Sequence, residues 1–110
     1  MERRIGMRAR TDFPVTLHNG MLTARCRVIE VSPSGIIVDR GHPVLVRDTP
    51  LVLSLVLRLP ERLRPLRALA RPIRNFGSQQ ALKFIRISDV DRLTLAEHLD
   101  LVRRRGRRPN

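Results

Sequence analysis

Hydrophobic residues recur along this chain in two rhythms. Between Phe13 and Ile85 they fall in short runs rich in Val, Ile and Leu, separated by Gly, Pro, Asn and Ser. Beyond Asp89 they return every three or four positions. The first rhythm predicts strands and turns, the second an amphipathic helix. Phe13–Leu17 reads as a short strand, with Pro14 suited to a strand start or an edge. His18-Asn19-Gly20 is a hairpin turn. Leu22–Val31 is a second strand, with Ala24, Cys26 and Val28 on one face and Arg25 and Arg27 on the other. Gly35–Asp39 is a third. Arg40–Pro50 is a loop holding Gly41, Pro43 and Pro50, with Val44–Val46 able to pair briefly. Leu51–Leu59 is apolar on both faces, as a covered strand is. Pro60–Pro65 turns the chain, Leu66–Ile73 resumes as a strand, and Asn75–Gln79 turns again around Gly77. Ala81–Ile85 is the last strand, with Leu82 and Phe84 on one face.

Six or so short strands at regular spacing imply a small antiparallel barrel or sandwich. Val90, Leu93, Ala96, Leu99 and Val102, widened by Leu95 and Leu101, predict a helix over Asp89–Arg104. Ser88 or Asp89 suits its N-cap, Arg103–Arg105 suit the negative end of its dipole, and Gly106 stops it. Leu95 and Leu101 could complete the core or form a dimer face. No repeat or linker divides the chain. Residues 1–12 read as a flexible basic arm, 13–105 as one domain (barrel about 13–86, helix about 89–104) and 106–110 as a basic tail.

Composition adds a partner class. Lys+Arg number 22 against 10 Asp+Glu, a net charge of +12, and Lys83 is the only lysine. So many guanidinium forks, which suit phosphates and guanine edges, imply an anionic partner: a nucleic acid, a nucleotide, a membrane surface or an acidic protein. Three Phe, with no Trp or Tyr, leave few platforms for stacking bases; a general nucleic-acid binder would use Arg103–Arg105, Arg107 and Arg108 as its footprint. Cys26 stands alone, which rules out an intrachain disulfide and suits a reducing compartment. The charged start is no secretory signal, and Leu51–Leu57 is far too short to span a bilayer. These features lead to the expectation of a soluble cytoplasmic protein.

Enzyme chemistry finds no constellation. His18, His42 and His98 lie far apart and read as surface or turn histidines rather than metal ligands. Cys26 reads as core, and Asp89 and Asp91 as helix-start acids. No P-loop, G-x-G-x-x-G or G-x-S-x-G occurs. The expectation is a protein without catalytic activity, metal or cofactor.

One corner remains. Glu30-Val31-Ser32-Pro33-Ser34-Gly35 holds a carboxylate and two hydroxyls between β-branched runs. Taken alone it is a plain β-corner. Upstream, Arg4-Ile5-Gly6-Met7-Arg8 forms R-x-x-x-R, with Pro14-Val15 opening a strand six residues later. Together the two motifs resemble the PilZ domain, whose signature is R-x-x-x-R on an N-terminal arm and [D/N]-x-S-x-x-G at a strand corner. The resemblance covers nearly the whole chain. It implies a mainly β fold, a six-stranded antiparallel β-barrel with a C-terminal α-helix. It also implies binding of the bacterial second messenger cyclic di-GMP, relayed to a protein effector that the sequence does not identify. By position, Arg4 and Arg8 would grip phosphates and guanine edges, Glu30 and Ser32 would meet a guanine and the ligand backbone, and Gly35 would keep the corner clear. Arg3 and Arg10 are further candidates in the arm. Glu30 departs from the family's Asp or Asn and carries one more methylene. Relatives with altered motifs that bind no nucleotide and act through protein contacts give the alternative: a nucleotide-free adaptor.

Overall fold

Inward aliphatics alternate with outward residues along much of the sheet, and closing that pattern on itself makes a barrel. The computed structural model describes residues 9–20, 22–44 and 51–106. Its elements are β1 (Ala9–Asn19), β2 (Leu22–Ser32), β3 (Gly35–Asp39), β4 (Leu53–Leu57), β5 (Leu66–Phe76), β6 (Gln79–Ile87) and α1 (Asp89–Gly106). The barrel is closed in the order β1-β2-β3-β6-β5-β4, antiparallel throughout, so the six-stranded barrel with a C-terminal helix is the fold observed.

The interior is aliphatic. Val15, Leu17, Val28, Val31, Val38, Leu55, Leu57, Ala70 and Leu82 are each at most 2% exposed. β4 departs from the alternation: Leu55, Val56 and Leu57 are all buried, as its apolar sequence predicts. Cys26 lies in the core, where burial pushes its thiol pKa up and the nearby Arg40 guanidinium partly opposes the rise. Gln80 is fully buried; its Oε1 accepts from Arg40 Nη1 at 2.8 Å and its Nε2 donates to Asn75 Oδ1 at 3.0 Å. Gly20 and Gly77 sit at φ +60° and +67°, the left-handed conformation that two-residue hairpin turns require. Val44 N–H donates to the Gly77 carbonyl, and the remainder of Val44–Val46 lies outside the described residues.

Three expectations change. β1 begins at Ala9 rather than Phe13, so Ala9–Asp12 run in the sheet. Ala9 is buried there, and Thr11 Oγ1 donates to the Val28 carbonyl. The helix buries only part of the expected stripe, Leu95 and Leu99 with Val102 partly covered, and adds His98, whereas Val90 and Leu93 are 63% and 62% exposed. A three-residue step falls about 60° short of a turn, so Val90, Leu93 and Ala96 wind away from the barrel. His98, expected at the surface, is 4% exposed. Its ring meets Phe13 edge-on with centroids 5.4 Å apart, and Nδ1 lies 2.6 Å from Glu61 Oε2. A carboxylate only accepts, so Nδ1 carries the proton of that bond. Ser88 caps the helix, its Oγ accepting from the Asp91 N–H.

Candidate functional site

Plain alternation along β2 would send Glu30 inward, behind Cys26 and Val28. A β-bulge prevents this. Val28 pairs with Val38 and Glu30 with Ile37, consecutive residues of β3, so Ile29 is the extra residue. The bulge reverses the facing of the strand: Val31 turns into the core at 0% exposure, while Glu30 and Ser32 emerge on the outer face. On its other side the same bulge meets a register shift in β1 between Arg10 and Phe13.

Beyond it the chain turns through Pro33 and Ser34, with Ser32 opposite Gly35. Ser32 Oγ accepts from the Ser34 N–H at 3.3 Å and lies 3.3 Å from both the Ser34 hydroxyl and the Gly35 carbonyl. The hydroxyls thus hold one another and the local backbone. Gly35 is required by packing rather than by φ, which is not positive. A Cβ there would stand 2.1 Å from the Leu82 carbonyl oxygen of β6. Its bareness lets β3 and β6 approach, which also keeps the floor of the corner low.

The outer face carries two shallow hollows that share Glu30. One, of about 340 Å³, is lined by Glu30, Ser32, Ser34, Gly35, Ile73 and Lys83 among others. The second, of about 530 Å³, is lined by Arg10, Thr11, Ile29, Glu30, Ile37 and Gln79. Arg10 stands directly opposite Glu30 across the β1–β2 ladder. Among the described residues no hydrogen bond or ion pair is made by the side chain of Glu30 or Arg10. Of the expected site residues, Glu30, Ser32, Gly35 and Arg10 therefore gather at one place. Arg3, Arg4 and Arg8 lie outside the described residues. Ile73 and Lys83 were not among the expected residues; they come from strands distant in sequence, and only the register β3–β6–β5 brings them to the corner.

A larger hollow of about 750 Å³ on β1 and β2 is lined by Arg25, Arg27, Arg40 and Arg58. Two of those cations are already engaged, Arg27 by Asp12, which raises its pKa, and Arg40 by Gln80. Among the described residues no three metal-ligating side chains gather, and no helix is long and apolar enough to cross a membrane.

No family model matches the sequence, and no curated protein does. Solved structures match in shape. The Bacillus subtilis inhibitor of motility MotI/DgrA gives a TM-score of 0.81 at 22% identity, over 98% of this chain and 55% of that one. The PilZ domain of Escherichia coli YcgR, solved with c-di-GMP, gives 0.71 at 12% identity, over 96% of this chain and 95% of that one. This chain has a PilZ-like fold. The PilZ domain of CeSA, from a cellulose-synthesizing bacterium, adds a TM-score of 0.68 at 16% identity, over 88% and 98%. The PilZ-like barrel thus spans a little over half of the motility inhibitor and nearly all of the other two domains.

Proposed function

We propose that this PilZ-like domain is a receptor for cyclic di-GMP that relays the signal to a protein partner in the cytoplasm. The observation that carries the reading is the point where the arm joins the barrel. Ala9, the first described residue, pairs with Val31, between Glu30 and Ser32. Arg8 is one peptide bond from Ala9, so its Cα is about 3.8 Å from that of Ala9, and Arg4 is within a few extended residues. R-x-x-x-R is therefore tethered within reach of the corner, beside a carboxylate and an Arg10 whose side chains have no partner among the described residues.

The chemistry suits the ligand. Guanidinium forks donate paired hydrogen bonds to phosphate oxygens or to guanine O6 and N7. Glu30 can accept from the guanine N–H and amino donors. In a chain with three Phe and no larger aromatic, arginine planes supply the stacking. The excess positive charge speeds encounter with a dianion. That a YcgR PilZ domain was solved with c-di-GMP supports the reading at the level of fold.

Isothermal calorimetry with cyclic di-GMP is the test. The wild-type chain binds, and Arg4→Ala and Arg8→Ala abolish binding. Both variants binding like the wild type would remove the arm from the site. Glu30, with its added methylene, favours a second reading, the nucleotide-free adaptor. Equilibrium dialysis showing no uptake of labelled nucleotide at high protein concentration would select it.

A further inference from the structure

The registers of four strands line up across the corner. Ser32 of β2 stands opposite Gly35 of β3, Gly35 opposite Lys83 of β6, and Lys83 opposite Arg71 of β5. The neighbouring row runs Arg10, Glu30, Ile37, Ala81 and Arg74. Directly opposed residues of antiparallel strands share a face, and Lys83, Arg71 and Arg74 are exposed on the outside. The corner therefore has a low centre of Gly35 and Ala81. On one side rise Glu30, Ser32 and the entry of the arm, and on the other Lys83, Arg71 and Arg74.

One fact sets Lys83 and Arg71 apart from the other exposed cations. They are directly opposed like charges, an arrangement that destabilises a sheet. None of Lys83, Arg71 and Arg74 has a carboxylate partner among the described residues. An anion held above the pair would remove the repulsion, and Lys83 lines the hollow shared with Glu30, Ser32 and Gly35.

We propose that Lys83 and Arg71 are the second anion-gripping wall of the corner, taking the phosphodiester that faces away from the arm. The inference rests on the cyclic di-GMP reading and adds residues that neither sequence motif contains. A cyclic dinucleotide carries two phosphodiesters on opposite sides of its ring. A ligand clamped only from the arm would leave one of them in solvent.

The test is calorimetric titration of the wild type, Lys83→Gln, Arg71→Gln and Lys83→Arg with cyclic di-GMP at one low salt concentration, with thermal melts of each ligand-free chain. Loss of one charge-assisted hydrogen bond weakens binding about tenfold to a hundredfold in each Gln variant. Lys83→Arg keeps the charge and stays within about tenfold of the wild type. The ligand-free Gln variants melt at the wild-type temperature or above it, because repulsion has been relieved. A purely structural lysine would not move the two readouts in opposite directions. Gln variants binding within about twofold of a wild type that itself binds would overturn the wall and leave the receptor reading intact. So would lost affinity accompanied by a lowered melting temperature. A wild type that takes up no nucleotide would overturn both.

Discussion

The helix side of the barrel and the corner side treat charge in opposite ways. Around α1 four carboxylates find donors. Glu61 meets His98, Arg62 meets Glu97, Asp100 meets Arg104 at 3.0 Å, and Asp91 accepts from the Arg67 backbone N–H at 3.2 Å. On the corner side Arg10, Arg71, Arg74 and Lys83 stand without a partner among the described residues, and so does Glu30. With 10 acids for 22 bases, not every cation can be matched. Four of the acids, Glu61, Asp91, Glu97 and Asp100, are engaged on and around the helix. The chain leaves bare the face where a dianion would bring its own charge. The first side serves folding; the second is the side on which the proposed ligand would be met.

The largest effect that would sharpen this contrast lies on the helix side. Phe13 is 2% exposed and supports the His98 ring, so Phe13→Ala should cost about 3–5 kcal/mol in urea unfolding. A cost below that of an ordinary surface change would mean that α1 does not depend on this contact. Next comes Glu61→Ala, which strips the partner from a buried ring whose Nε2 already has none among the described residues. It should cost about 1–3 kcal/mol by the same measurement, with the corner unaffected. The smallest effects carry the sharpest sign. Arg62→Ala, on the matched side, should lower stability by about 0.2–1 kcal/mol. Lys83→Gln, on the unmatched side, should raise it by about 0.2–1 kcal/mol. Thermal melts at low salt resolve the two, and added salt should shrink both differences, since exposed charges are screened. Equal signs would erase the contrast.

Much of the barrel was legible because strand period and turn chemistry are local signals. Asn19-Gly20 and Gly77 mark hairpins, and β4 reads as covered from its leucines alone. The start of β1 was not legible, since Ala9–Asp12 contain two charges and gain their place from Val31 and Glu30, which lie far along the chain. Of the helix stripe, Leu95, Leu99 and Val102 pack as their pattern predicts, while Val90, Leu93 and Ala96 do not, because a three-residue spacing matches a helix without fixing which side packs. His98 was misread because its partner Glu61 is 37 residues away. At the site, the corner motif was visible, but the bulge at Ile29 that turns Glu30 outward was not. Nothing in Val28-Ile29-Glu30-Val31 announces a bulge until β3 supplies the opposing register. Lys83 escaped for a like reason: its neighbours across the sheet are Gly35 and Arg71, and sequence order separates all three.

The seam between β1 and β4 sets an order of assembly. Val15 must find Leu57, roughly 40 residues later, whereas β1, β2 and β3 follow one another through two-residue turns. Closing the longer loop costs about 2 kcal/mol more chain entropy than closing a hairpin of a few residues. The meander that carries Glu30 and Ser32 can therefore zip from local contacts, while the cylinder shuts only when the distant Val15–Leu57 seam forms.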